Sequence, residues 1–387
     1  MINYKELPFY IQFTFKLLMI LCLGVILTFG QTLFIPLAFS ILLSILLLPV
    51  TNFLQNKLRF PKSLANLSAV LFAISIIGGL IYFLSHQIAS FLQDMPSIKS
   101  HLEEHYATLQ HWIQQKFNVS EKQQAVMINK ATADVKTSGT EVIGQTFFTI
   151  THIVFYIILI AIYSFLILHY RHTIKRFLIA VFNKTHEPTV TEVLQESKGI
   201  VQKYMLGLII EMGIVALANS AILLIIGVDY AIFLGIFSAI LNIIPYVGIL
   251  TGIVFSCLVT LTSSDNLSDI VWIIVGFEIV HFIDANFLMP RIVGSKVKIN
   301  ALVTIIGVVV GGTMIGLPGI FLALPTIAIL KIIFDRIDDL KPWGMLMGDD
   351  TQVDHKTRLY KQIEKFALRK KKKAVITTVS NTPSDTI

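Results

Sequence analysis

Charge is scarce in this chain. Only 14% of its 387 residues are Asp, Glu, Lys or Arg, where soluble proteins carry about 25%. With 55% hydrophobic residues and a mean hydropathy of +0.74, that deficit excludes an ordinary cytosolic globular protein and a long disordered chain. Cysteine is almost missing. Cys22 and Cys257 both sit in apolar runs, so neither a disulfide framework nor a cysteine metal site is expected. Acids are the rarer sign, 24 against 31 Lys plus Arg, for a net charge of +7. In so hydrophobic a chain the excess reads as cytoplasmic loop charge, and no nucleic-acid partner is expected. There is no P-loop, nucleophile elbow or dinucleotide fingerprint, which speaks against ATP-driven transport by this chain alone and leaves no cofactor to expect.

What is there is a set of long charge-free runs. None of the four charged residue types occurs from Leu17 to Asn56, Ser63 to Gln93, Val142 to Tyr170, Ala231 to Ser264 or Ile299 to Leu330. A helix of about 20 residues crosses the hydrocarbon of a bilayer, so each run holds one span and the first, fourth and fifth hold two. The expected spans are 13–30, 33–50, 64–92, 145–169, 205–227 and 268–289. Lys5 and Lys16 precede the first of them as in a signal peptide, but no small-residue cleavage site follows and a second apolar segment begins almost at once. The fold class is therefore all-α and polytopic, with about eight spans or span equivalents. The chain divides into a three-span region (1–92), an external helical segment (93–142), a fourth span with a cytoplasmic helical connection (143–204), a core (205–340) and a basic tail (341–387).

Two regions are broken by glycine and proline. Residues 229–264 are interrupted at Asn242-Ile243-Ile244-Pro245-Tyr246-Val247-Gly248, and 299–335 between Gly311 and Gly319. Each is read as either a full or a re-entrant hairpin. Lys57, Arg59 and Lys62, the basic residues of 171–203, Arg291, Lys296 and Lys298, and the Arg369–Lys373 run are assigned to the cytoplasm. Both termini then lie inside, residues 93–142 lie outside, and the two hairpins enter from opposite faces. Paired broken hairpins point to a transporter binding site. Their Gly248/Gly252 and Gly307/Gly311 spacings serve close helix packing equally well.

Ionisable groups inside a membrane are the strongest functional signal, because a mid-bilayer charge costs about 2.5–3.5 kcal/mol. Glu278, His281 and Asp284 recur every third residue of one span. A helix brings neighbours at that spacing into touch, so they form a candidate proton relay or cation site, with the same residues able to act as a polar seam between helices. Glu278 is deepest and is the leading candidate. Asp284 falls near the cytoplasmic end, within reach of water. Glu211 is a weaker candidate one or two turns into its own span. Asn219, Asn242 and Asn286 can bond a polar solute, an unwound backbone or a neighbouring helix. His101-Leu102-Glu103-Glu104-His105 fits the inverted zinc-protease pattern, but the segment around it is too small for a cleft, and a solvated helix face is the simpler reading.

Several motifs in this order resemble those of the autoinducer-2 exporter family of bacterial inner-membrane proteins. They are Phe34-Ile35-Pro36-Leu37-Ala38 with Pro49, the Asn242–Gly248 break, Asp284-Ala285-Asn286-Phe287-Leu288-Met289-Pro290-Arg291-Ile292-Val293-Gly294, and Gly311-Gly312 through Gly316-Leu317-Pro318-Gly319 to Pro325. The resemblance covers about 10–340. Ile249 and Ala301 stand where many members carry proline. The resemblance implies a multi-pass transporter, with autoinducer-2 export or sodium(lithium)/proton antiport as its function. It also implies a homo-oligomer, with five copies as one candidate number.

The expectation is thus a secondary exporter of a small polar solute in the bacterial plasma membrane, and not an enzyme. Its partners are the bilayer and that solute or a monovalent cation. Asn242, Pro245, Tyr246 and Gly248 would shape one side of the path, with Asn286 and Pro290 nearby, and Gly311, Gly312, Gly316, Pro318 and Gly319 the other. Glu278, with His281, would carry the coupling proton. The alternatives are cation/proton antiport on Glu278 and Asp284, and a membrane scaffold that transports nothing.

Overall fold

The computed structural model describes the backbone of residues 8–117, 141–182, 186–243, 247–263, 266–293 and 299–348, and of 101–117 and 141–153 the backbone alone. The described part is helical throughout, with a single isolated bridge between Ile299 and Gly348. Among its helices are α1 (Phe9–Phe29), α2 (Gln31–Asn56), α3 (Lys62–Phe117), α4 (Glu141–Ala180), α5 (Glu187–Ile226), α6 (Ala231–Leu241) and α7 (Val247–Ser263). They continue with α8 (Leu267–Ile283), a π-helical stretch at Asp284–Val293, α9 (Ala301–Ile315), α10 (Leu317–Arg336) and the short α11 (Lys341–Met347).

Six of these segments are long and apolar enough to cross a membrane: Gln31–Asn56, Lys62–Asp94, Val154–Ala180, Glu187–Ile226, Ser268–Met289 and Leu317–Arg336. The apolar stretch Phe13–Phe29 of α1 and the helices α6, α7 and α9 are shorter. The chain is a polytopic all-α membrane protein, as its charge-free runs imply. Large apolar side chains cover its outer faces, Phe72, Tyr82, Leu217, Ile225 and Trp272 among them, where a soluble fold would carry charge. The 56 residues of α3 would reach about 84 Å at 1.5 Å per residue, so α3 runs far past any bilayer. The inverted zinc-protease pattern lies on that far part, where side chains are outside the described residues. The tail beyond 348 is outside them too.

α5 is the spine. Its 40 residues join the charged connection and the apolar span into one continuous helix. Its buried side is a stripe at Val201, Tyr204, Gly207, Glu211, Val215, Asn219 and Leu223, steps of three and four that keep one face of a helix turned inward. The hairpin α6–α7 packs on the second half of that helix: Leu223, Leu234, Ile249 and Phe277 share one core cluster with Phe91 of α3. The hairpin α9–α10 packs on the first half, where Val201 meets Leu42 of α2 and Leu322 of α10. Arg336 at the end of α10 closes that contact with Glu192 and Glu196 of α5, at 2.8 and 3.0 Å. α11 folds back on the start of α9, where Asn300 donates from its amide to the Leu346 carbonyl at 2.6 Å. On the opposite side, Tyr230 in the α5–α6 turn bonds Asp94 at the end of the α3 span, which lifts the phenol to about 12. The Tyr230 ring also stands edge-on to Phe91.

The second broken hairpin turns at one residue. Gly316 has φ +67° and ψ −148°, a conformation open in practice only to glycine. Below the turn, α9 and α10 touch backbone to backbone. A Cβ on Gly319 would lie 1.9 Å from the Gly311 carbonyl oxygen, and one on Gly311 would lie 2.4 Å from that of Gly319. Neither backbone can give way like a flexible side chain, so Gly319→Ala is expected to destabilise the protein by about 1–3 kcal/mol. The check is an earlier loss of the monodisperse species when detergent-solubilised protein is heated. Gly312→Ala, facing only the side chain of Ile320 at 3.1 Å, should be milder.

Candidate functional site

The charged and amide groups buried at the centre come from three elements. α5 supplies Glu211 and Asn219, α6 supplies Ser238 and its C-cap Asn242, and the junction of α8 with the π-helical stretch supplies His281 and Asp284. Local sequence explains each placement. Glu211 and Asn219 are two members of the inward stripe of α5, eight residues apart. α6 stops at Asn242 because Pro245 cannot donate and disfavours helix in the residue before it. α7 can return close against α6 because Gly248 has no side chain; a Cβ there would be 2.4 Å from the Ser238 oxygen and the Asn242 nitrogen. At Asp284 the chain widens from α to π turns, a local irregularity common at functional sites, and the π stretch packs on α5.

The result is a carboxyl pair. Asp284 is 6% exposed and Glu211 7%, and the two carboxyls face each other beside the Asn242 amide. The Asn242 side chain donates to Oδ2 of Asp284 at 3.1 Å. One turn back, the Asn219 amide donates to Oγ of Ser238 at 3.0 Å, which donates in turn to the Gly235 carbonyl at 2.9 Å. No lysine or arginine forms an ion pair with either carboxyl among the described residues. Two buried acceptors remain without a donor, Oδ1 of Asp284 and Oδ1 of Asn219. Both residues line a cavity of about 10 Å³, with Val215, Ile249, Phe277 and Val280 as its apolar wall and His281 beside Asp284. That is room for about one water molecule. Buried acceptors without donors are rare and costly, so what fits here is a proton, a small cation or the hydroxyl of a solute.

Of the residues singled out in the sequence, Asn242, His281, Asp284 and Glu211 come together here. Asp284 is not the water-facing group its position near the end of a span implies, because the π stretch turns it onto α5. Glu278 is exposed on the outer face of α8. Steps of three residues rotate a helix by about −60° each, so Glu278 and Asp284 differ by about a third of a turn and only one of them meets the cavity. Asn286 is exposed, and its side chain bonds back to the Phe282 carbonyl at 2.9 Å. Gly248 closes α7 on α6. Pro245 and Tyr246, and the ring of Pro290, lie outside the described residues. Gly311, Gly312, Gly316, Pro318 and Gly319 belong to the turn and inner contact of the second hairpin; none lines the cavity. Ser238 and Tyr204 escaped the sequence reading. The signal for Tyr204 was available, since it shares the inward stripe with Glu211 at a spacing of seven.

A family model matches most of this chain. The model for AI-2E family transporters aligns with residues 17–339. The chain belongs to the AI-2E transporter family. Among its relatives are two Bacillus subtilis (strain 168) proteins whose names propose transport without stating a solute. YrrI is 25% identical over 320 residues, 78% of this chain and 86% of the relative. YueF is 24% identical over 322 residues, 80% and 85%. A Borreliella burgdorferi protein named in the same terms is 22% identical over 344 residues, 84% and 89%. The matched span includes the whole carboxyl pair and its amide partners.

The Asn242–Asp284 bond can be isolated. Asn242→Leu leaves Oδ2 of Asp284 buried without its donor and should cost about 1–3 kcal/mol. Asp284→Leu combined with Asn242→Leu removes donor and acceptor together. A double-mutant cycle of detergent stability should therefore return a coupling of about 1 kcal/mol or more; purely additive losses would mean that the bond contributes nothing.

Proposed function

We propose that this protein is a proton-coupled secondary transporter of the bacterial plasma membrane that exports a small polar solute, autoinducer-2 by its family. Both termini would be cytoplasmic, following the basic loops. The observation that carries the reading is the Glu211–Asp284 pair: two buried carboxyls with no lysine or arginine paired to them among the described residues, of which Oδ1 of Asp284 lacks a donor, as does Oδ1 of Asn219 nearby. Like charges this close cannot both ionise at low cost, so the pair is stable with one proton or one cation between its oxygens. Loading and unloading that cation changes the force between α5 and the π stretch, and therefore the stability of the arrangement that holds α6 at Asn242. The broken hairpin α6–α7, with its polar end at Asn242, is the element free to answer. Backbone groups released at its break and the amides of Asn219 and Asn242 would meet the solute's hydroxyls.

Cation/proton antiport is the second reading, and one observation favours it. The cavity of about 10 Å³ beside Asp284, with Asn219, Ser238 and Asn242 on its wall, suits a dehydrated monovalent cation among oxygens and is too small for an organic solute as it stands. In that reading sodium or lithium on Asp284 takes the place of the proton that the pair holds, and no organic solute is needed. In both readings a second copy of the chain would cover Glu278. That carboxyl lies on an exposed face with Trp272, Val275, Ile279 and Phe282, and a carboxylate left against lipid costs a few kcal/mol.

Proteoliposomes holding the purified protein under a fixed pH gradient test this directly, with autoinducer-2 and sodium added separately. Autoinducer-2 alone should drive proton movement, and Glu211→Gln or Asp284→Asn should each lower it at least tenfold. Glu278→Gln should keep it within about twofold. Flux driven by sodium alone assigns the antiporter. Unchanged flux in both pair variants, with loss only in Glu278→Gln, would move the coupling site to α8's outer face and contradict the proposal.

A further inference from the structure

A second and much larger cavity lies apart from the carboxyl pair and shares no residue with it. It is about 400 Å³ and sits among α2, α4 and α5. Its chemistry is split. Ile45 and Leu48 of α2, Ile167 and Leu178 of α4 and Leu194 of α5 form an apolar wall. Arg171, Lys175 and Lys198 form a cationic one, and no carboxylate lines the cavity. Nor does a carboxylate neutralise those three residues from elsewhere in the described structure. The side chain of Arg171 instead donates to neutral partners, Oδ1 of Asn52 at 3.3 Å and a ring nitrogen of His172 at 3.4 Å.

The level of this cavity in the membrane follows from the sequence. Arg171 and Lys175 come directly after the charge-free stretch that ends at Tyr170, and Ser44–Asn52 of α2 lie just before Lys57, Arg59 and Lys62. The cationic wall therefore stands where apolar span gives way to basic loop, the depth of lipid phosphates. The apolar wall runs from there back toward the hydrocarbon. A soluble anion has no use for that wall, and a neutral lipid has none for three unneutralised cations. A basic pocket between spanning helices at this level is what binds an anionic headgroup.

We propose that this cavity is a binding site for one anionic phospholipid. Its phosphate lies on Arg171, Lys175 and Lys198, and its first acyl carbons lie along Ile45, Leu48 and Leu178. The lipid joins α2 and α4 to the start of α5, the spine that carries Glu211 further along.

The test uses the full-length protein in detergent, exchanged with mixed micelles of phosphatidylglycerol or phosphatidylcholine. Lipid retained after gel filtration is then counted by mass spectrometry. The wild type should keep at least fivefold more phosphatidylglycerol. In R171Q/K175Q/K198Q the difference should fall below twofold, and in K175Q/K198Q, whose side chains are exposed and whose folding is not at stake, it should fall at least by half. K57Q/R59Q/K62Q removes as much charge from the same end but outside the cavity, and should behave as the wild type. Leu178→Trp, which keeps every charge and fills the apolar wall, should lower retention. Equal retention of the two lipids by the wild type overturns the proposal, and so does an equal loss in the 57/59/62 variant, which would mean diffuse surface charge. Displacement of phosphatidylglycerol by inorganic phosphate at equal concentration would reassign the cavity to a soluble anion.

Discussion

A carboxylate taken from water into an apolar interior loses several kcal/mol of solvation unless something inside replaces it. This chain buries two carboxyls at one point, Glu211 and Asp284, and sets the Asn242 amide and His281 beside them rather than a lysine or arginine. That constraint organises the second half of the molecule. α5 must present Glu211 inward, and its buried stripe, spaced by three and four residues, does so. α6 must end where Asn242 can donate to Asp284, as it does. α7 must return close enough to hold α6 in place, which Gly248 permits. The helix carrying Asp284 must bend its register toward α5, and its π turns achieve that.

The balance left over is what makes the site more than packing. A structural seam satisfies its own hydrogen bonds, and the neighbouring Asn219–Ser238–Gly235 chain does so on its donor side. The pair does not. Oδ1 of Asp284 and Oδ1 of Asn219 are buried without donors beside a water-sized space. One proton or a small cation would satisfy such an arrangement, and a guest of that charge is what the proposed coupling requires.

The fold was legible in the sequence to an unusual degree, because charge-free runs of about 30 residues have few structural uses outside a bilayer. The expected spans at 33–50, 64–92 and 268–289 fall inside the described helices, and 205–227 ends at the Gly227 cap of α5. The site was legible in part. Asp284, His281, Asn242 and Glu211 all carried a signal as polar groups in apolar runs. Their ranking did not follow from depth along a span. Glu278 is the deepest acid of α8, but helical rotation turns it outward, and linear sequence does not say which third of a helix faces its neighbours. The irregular turns that bring Asp284 onto α5 have no marker in composition. The glycines of 311–319 were legible as a break, yet the same residue that permits a transport path permits tight packing. In this structure Gly311 and Gly319 are used for the backbone contact within their hairpin.

The central claim is that Glu211 and Asp284 share one exchangeable positive charge. Infrared difference spectroscopy of the protein in membranes, cycled between acidic and alkaline buffer, reads carboxyl protonation directly. One protonated-carboxyl band should titrate, disappear in Glu211→Gln and in Asp284→Asn alike, and persist in Glu278→Gln. A band that survives in both pair variants, or that is lost only with Glu278, would contradict that claim.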